Sequence, residues 1–289
     1  MIAVTGASGK LGRIVVEGLM EVHPVKDVAA VVRTPDKVAD LAEKGVMVRR
    51  GDYSEPSTLE AAFEGVDRVL LISSNEFGRR LEQHQAVITA AKKQGVSLLA
   101  YTSVLKAPEN RISALADHKG TEAALKASGI PHVLLRNGWY IENYTDNLQI
   151  PLSTGALLGA SGEGRIAAAS RADFAAAAIA VLTGAGHAGK VYELAGDTSF
   201  TKAELAAKVS AWAGKPIAYQ NMTGEEYQQI LEGAGLPAPF AAFMTDADLA
   251  IARGELDSDR KDLRELIGRP TQSIEQVLEG MDRNLLVQT

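Results

Sequence analysis

The run Thr5-Gly6-Ala7-Ser8-Gly9-Lys10-Leu11-Gly12 follows an apolar strand, Ile2–Thr5, and opens a helix. Its three glycines have separate tasks. Gly6 permits the tight turn, Gly9 lets backbone approach a pyrophosphate, and Gly12 lets the helix pack closely on the sheet. The helix N-terminus then offers free N–H groups and a partial positive charge to phosphates. Glycines also mark ordinary turns, but here the strand–turn–helix context is the one that dinucleotide binding requires. The spacing, G-x-x-G-x-x-G, is one residue wider at the front than the fingerprint of many dehydrogenases.

The second strand selects the cofactor. A site for NAD usually places Asp or Glu at that strand's end, where it accepts from the ribose hydroxyls. This chain has Val31-Val32-Arg33-Thr34, with no acid. Unless it is a plain solvated side chain, Arg33 can hold a 2′-phosphate through charge-assisted hydrogen bonds worth roughly 1.5–3 kcal/mol. NADPH is the expected cofactor. After the third strand, Asp52 either accepts from the adenine amino group, with Tyr53 beside it, or caps the next segment. Ser73, Ser74 and Asn75 follow the fourth strand, and their small polar side chains suit the nicotinamide-side ribose and phosphate.

Strand-like runs at Ile2–Thr5, Val28–Val32, Met47–Arg50, Arg68–Ile72, Leu98–Ser103 and His132–Arg136 alternate with helical patterns near Leu11–Met20, Lys37–Lys44, Ser57–Ala62, Arg79–Gln94 and Leu115–Ser128. Continuous apolar strands separated by helices predict a parallel sheet covered on both faces. Right-handed crossovers make this an α/β, doubly wound, Rossmann-like fold. Beyond residue 138 the rhythm changes. A Gly/Ser/Thr-rich stretch (Ser153–Gly164) precedes an Ala-rich helix, Ala172–Leu182, which packs either against a twin in a homodimer or inside its own chain. Val191–Leu194 reads as a seventh strand. Thr201 with Glu204 and Thr223 with Glu226 mark capped helix starts. Pro237–Pro239 reads as a surface turn, and 257–265 as a solvated helix. The expected organisation is an NADP-binding domain over residues 1–150, with 151–289 completing it and adding a small C-terminal substrate lobe.

Composition narrows the function. Thirty Lys+Arg against 36 Asp+Glu give a net charge of −6, which argues against a nucleic-acid or anionic-membrane partner. Zero cysteines exclude disulfides, thiolate metal sites and a cysteine nucleophile. The scattered histidines show no metal-ligand spacing. Apolar runs fall short of the roughly 20 residues that span a bilayer. A strand beginning at the second residue predicts no signal peptide, so the expected location is cytoplasmic.

Thr5–Gly12, Arg33, Gly51-Asp52-Tyr53, Leu71–Ser74, Ala100–Ser103 and above all Leu135-Arg136-Asn137-Gly138-Trp139-Tyr140 resemble the NmrA-like atypical short-chain dehydrogenases, in particular their bacterial quinone reductases and triphenylmethane-dye reductases. The resemblance extends through Val191–Gly196 and Leu266–Gly268. It implies that Gly6, Ala7, Ser8, Gly9, Lys10, Leu11 and Arg33 bind NADPH. It also implies cofactor contact by Ser73, Ser74 and Asn75, and by Asn137, Gly138, Trp139, Tyr140, Ile141 and Glu142 at the nicotinamide end, with Ala169–Arg171 closing over the same region.

The sequence departs from ordinary short-chain dehydrogenases at one place. Ser103 sits in the serine register, yet no Tyr-x-x-x-Lys exists anywhere in the chain. The helix after strand five carries His118-Lys119-Gly120-Thr121-Glu122 instead, a His-x-x-x-Glu pair on one helical face. Alcohol dehydrogenation wants a general acid–base group, commonly worth roughly 10²–10⁴ in rate. A quinone is already electron-poor and asks less, because positioning can supply much of the catalysis.

His118, oriented by Glu122, is a candidate proton donor to a quinone oxygen, or else a surface histidine with an intrahelical partner. Tyr140, Asn143 and Tyr144 follow strand six, where they either line the pocket or pack the lobe. Trp139 reads as core. Phe240, Phe243 and Met244, at helical spacing, either roof an apolar pocket or belong to the core. Arg80 and His84 read as solvated. The expected function is NADPH-dependent reduction of quinones or similar aromatics. The alternatives are a non-catalytic NADP sensor acting on a partner protein and a sugar-modifying or isoflavone-reductase-like enzyme.

Overall fold

The structure, a computed structural model, describes residues 1–76 and 78–282. Seven parallel strands form one sheet: β1 (Ile2–Thr5), β2 (Val28–Val32), β3 (Met47–Arg50), β4 (Arg68–Leu71), β5 (Leu98–Val104), β6 (His132–Asn137) and, after an excursion, β8 (Val191–Leu194). Their order is β3-β2-β1-β4-β5-β6-β8. The order reverses between β1 and β4, so a crevice opens there at the carboxyl ends of the strands.

Side-chain alternation sends successive residues of each strand to opposite faces. Val28, Ala30 and Val32 join Val15, Leu19, Phe174 and Val181 on one side. Ala29 and Val31 join Leu59, Phe63, Val87 and Leu125 on the other. Both faces are covered, and for this reason the strands read as uninterrupted apolar runs. The Ala-rich helix, Arg171–Thr183, lies inside its own chain against the helix Lys10–Val22, where a Cβ on Gly18 would stand 2.5 Å from Ile179 Cδ1.

The lobe has its own core, including Ile141, Leu148, Phe200, Leu205, Ile251 and Leu278. Three features of the C-terminal half differ from the expectation. Part of the Gly/Ser/Thr-rich stretch is β7 (Ala156–Gly159), paired in parallel with β9 (Ala218–Asn221). Pro237–Pro239 is no surface turn but the start of the helix Ala238–Ala252, since proline in a first turn has no N–H that a helical bond would need. The helix foreseen in 257–265 is shorter and later, Asp262–Ile267, and buries Leu263.

Candidate functional site

At the crevice the chain after β1 turns through Gly6 at φ +62, and the Gly9 N–H closes the turn on the Gly6 carbonyl at 2.9 Å. A Cβ on Gly12 would lie 2.4 Å from the Gly6 oxygen and 2.8 Å from Ala7 Cα, so only glycine lets the helix come this close. The helices starting after Ser170, Thr201, Thr223 and Ser273 are capped by those side chains. The Lys10–Val22 helix has Gly9 at its N-cap, no side-chain cap and no acid in its first turn. Its first N–H groups are left to serve an anion.

Cations flank this turn. Arg33, exposed at the end of β2, pairs with Glu76 at 3.1 Å. Lys10 and Arg171 share Asp146, at 2.6 and 3.3 Å.

The carboxyl end of β6 builds the other half. Ala169 donates its N–H to the Trp139 carbonyl and accepts from the Ile141 N–H, both at 3.0 Å, so 169–171 and 139–142 run as one ribbon. Glu142 accepts the Arg171 N–H on both carboxylate oxygens, at 2.8 and 2.9 Å. Gly138 donates to the Leu194 carbonyl at 2.8 Å, tying the ribbon to β8. The Tyr140 ring meets Phe174 edge-on, and its hydroxyl accepts from Asn137 Nδ2 at 3.2 Å. Burial raises the Tyr140 pKa and keeps that hydroxyl protonated. The other end of the Asn137 amide, Oδ1, is buried without a hydrogen-bond partner among the described residues. Asn143 begins one turn beyond, its N–H on the Tyr140 carbonyl at 3.1 Å. Trp139, half-buried, packs on Phe243, which packs on the exposed Phe240, so these rings line one side of the lobe. Met244 is half-buried next to them.

Two expectations are corrected. Glu122 does not orient His118. It accepts from Ser103 Oγ at 2.6 Å and forks onto Arg136 at 3.0 and 2.7 Å, and Arg136 in turn reaches Glu193 at 2.7 Å. His118 is only 4% exposed, and its Nδ1 shares a 2.7 Å hydrogen bond with the Tyr101 hydroxyl. Arg80 and His84 are not solvated but buried, at 4% and 0% exposure. Of the two readings of Asp52 the structure shows the capping one: it accepts from the Ser54 N–H, while the Tyr53 hydroxyl donates to the Ile72 carbonyl at 2.8 Å.

Residues 6–184 match the NAD(P)H-binding family. The chain belongs to that family. It is 46% identical to quinone oxidoreductase 2 of Escherichia coli over 95% of this chain and 96% of that one. A crystal structure of the NADPH-dependent quinone oxidoreductase of Escherichia coli, complexed with NADPH, superposes with TM-score 0.94, at 45% identity, covering 96% of this chain and 99% of that one. The triphenylmethane reductase of Citrobacter sp., complexed with NADP(H), superposes with TM-score 0.93, at 36% identity, over 97% and 100%.

The buried histidines give this family member a measurable pH dependence. Burial, reinforced by the Arg80 guanidinium, pulls His84 and His118 down to about 3. Unfolded, each titrates near about 6.5. Between those values the unfolded chain binds more protons. The histidines' contribution is therefore full above about pH 6.5 and lost as pH falls, at up to about 1.4 kcal/mol per pH unit for each. The urea midpoint should be lower near pH 5 than near pH 7, and the difference should shrink in His118→Gln. An equal difference in both proteins would contradict this.

Proposed function

We propose that this chain reduces quinones or related electrophilic aromatic compounds with NADPH, by direct hydride transfer and without flavin. The observation that carries the reading is a glycine turn and uncapped helix beside an exposed arginine at the end of β2, where an NAD site would place an acid. Whole-length likeness to a quinone oxidoreductase and to a dye reductase supports it.

The residues present fit NADPH. Gly12 leaves room for the turn that a Cβ would fill, and the unpartnered Asn137 Oδ1 is an acceptor at the carboxyl end of β6. In this reading Gly6–Leu11 hold the pyrophosphate, Arg33 the 2′-phosphate, Ser73–Asn75 the nicotinamide-side ribose and phosphate, and Asn137–Glu142 with Ala169–Arg171 the nicotinamide end. NADPH, when bound, supplies the hydride. The chain's own part is to orient and to exclude water. Tyr140 keeps its proton at Oη and, among the described residues, accepts only from Asn137 Nδ2, so it is able to donate a hydrogen bond to a substrate carbonyl oxygen, with Asn143 one turn further on. His118 stays neutral against Tyr101, behind the site. An electron-poor ring needs little more than this alignment. Trp139, Phe243 and Phe240 give it an apolar flank. The reading includes cytoplasmic work on a small molecule. No described helix is long and apolar enough to cross a membrane.

The test follows loss of nicotinamide absorbance with NADPH or NADH and a small benzoquinone, after subtraction of the protein-free reaction. Saturable turnover favouring NADPH is expected. Tight NADPH binding without turnover of any quinone or dye would instead support an NADP-binding sensor. Arg33→Ala should lower the preference for NADPH over NADH about ten- to a hundredfold, and an unchanged preference would remove Arg33 from the 2′-phosphate.

A further inference from the structure

The segment after β4 starts beside the glycine turn, where a Cβ on Gly6 would touch Ile72 at 3.7 Å. Its middle residue, Ser74, is held on every polar atom by the helix Arg80–Lys93. The Ser74 N–H donates to His84 Nε2 at 2.9 Å. The Ser74 carbonyl accepts from Arg80 Nε at 2.6 Å, while Arg80 also reaches the Ala114 carbonyl at 2.7 Å. The Ser74 hydroxyl donates to Gln83 Oε1 and accepts the Glu76 N–H at 3.2 Å. On the strand side, the Ser73 N–H donates to Thr102 Oγ1 at 2.9 Å.

The proton positions on His84 follow from its neighbours. A backbone N–H can only donate, so Nε2 must present its lone pair to Ser74. On the far side, Nδ1 lies 2.9 Å from Thr121 Oγ1, and that hydroxyl donates to the Asp117 carbonyl at 2.8 Å. A carbonyl can only accept, so the hydroxyl proton is committed and Nδ1 must be the N–H. Both sides demand the same neutral tautomer. The chain of donors runs from Ser74 through His84 and Thr121 to Asp117, from the edge of the site to the helix Ala116–Ser128.

We propose that His84 is a positioning residue for NADPH: as its neutral Nδ1–H tautomer it fixes the Ser74 peptide and thereby aims Ser73 and Asn75 at the cofactor. The inference rests on the reading of 73–75 as cofactor contacts and divides their labour. With its N–H, carbonyl and hydroxyl all engaged within the protein, Ser74 serves the loop's shape. The Ser73 hydroxyl and the Asn75 amide, which make no hydrogen bond among the described residues, serve the ligand.

Two substitutions and one spectrum test it. His84→Phe keeps a ring of similar size but leaves the N–H of the half-buried Ser74 without its acceptor. Its NADPH dissociation constant and KM should rise about tenfold, with kcat changed less. His84→Gln, whose amide oxygen can accept from Ser74, should bind NADPH within about threefold of the parent protein. A His84→Phe protein that folds, loses thermal stability and still binds NADPH as the parent does would overturn the proposal. So would His84→Gln binding as weakly as His84→Phe. Long-range ¹H–¹⁵N spectra of the parent chain read the tautomer with no substitution. A pyrrole-type Nδ1 with a pyridine-type Nε2 is expected, and the opposite assignment would sink the idea even if His84→Phe fails to fold. Because NADPH binding is the readout, a chain that binds NADPH yet reduces no quinone would defeat the proposed activity and leave this inference standing.

Discussion

Gly12→Ala should weaken NADPH binding about a hundredfold while leaving the chain folded. The added methyl would stand 2.4 Å from the Gly6 oxygen, 2.8 Å from Ala7 Cα and 2.9 Å from the Gly6 carbonyl carbon. All three are backbone atoms of the turn itself, so no side chain can swing away to make room. Either the helix backs off the sheet or the turn deforms, and both misdirect the N–H groups at the start of the helix Lys10–Val22. Gly18 in the same helix is the matched control. A Cβ there also meets an atom at 2.5 Å, but that atom is Ile179 Cδ1, the free end of a flexible side chain on the neighbouring helix. Gly18→Ala should bind NADPH as the parent protein does. Calorimetric titration of the two variants separates a steric demand of the turn from general sensitivity of the helix. Equal affinities for both would show that the turn tolerates a Cβ.

Strand and helix positions of the first half were legible because β1, β2 and β5 are buried at every residue and the long helices on one face. The apolar periods therefore report the layers directly. The capping boxes at Thr201 and Thr223 were legible because their two hydrogen bonds are local in sequence. The lobe was harder. β7 and β9 are four residues each and largely half-buried or exposed, so neither alternation nor a continuous apolar run marks them.

The polar half of the candidate site was legible only where a motif carried it. Gly6, Gly12 and Arg33 announce themselves by spacing from strands. Arg80 and His84 could not, because what buries them is the Ser74 peptide and the Thr121 hydroxyl, the latter 37 residues away from His84. Helix Arg80–Lys93 carries Arg80, Gln83, His84 and Val87 on one buried face, so its buried face is polar at one end and a period of apolar residues understates it. The one available signal was Arg80, Gln83 and His84 at i, i+3, i+4, a spacing that puts three hydrogen-bonding side chains together. Glu122 misled in the opposite sense. Its i+4 spacing from His118 satisfied a helix rule, but Arg136 on β6 and Ser103 on β5 offered a full set of donors to the carboxylate, and a guanidinium fork outcompetes an intrahelical imidazole.

Lys202→Met should destabilise the chain by about 3–5 kcal/mol, the largest loss expected from any single substitution outside the cofactor crevice. Lys202 and Asp248 are 3% and 4% exposed, and Lys202 Nζ donates to both Asp248 carboxylate oxygens, at 2.7 and 2.6 Å. The ammonium also lies 5.7 and 5.4 Å from the ring centres of Tyr144 and Tyr227. Removing it leaves a buried carboxylate with one remaining partner among the described residues, the Ala160 N–H at 2.7 Å. Lys202→Met combined with Asp248→Leu removes the stranded charge together with its desolvation cost, so the double variant should recover more than half of the loss. It should still fall short of the parent, because the Ala160 N–H keeps no acceptor, an omission worth about 1–3 kcal/mol. Urea-unfolding midpoints of the four proteins close the cycle. Additive losses would mean that the two charges are stabilised independently, by the tyrosines and the peptide rather than by each other. The expected non-additivity would instead identify this ion pair as the joint between β7, the helix Lys202–Ala213 and the helix Ala238–Ala252. That last helix carries Phe240 and Phe243, so a partial opening of the joint should raise KM for large aromatic substrates before it changes the affinity for NADPH.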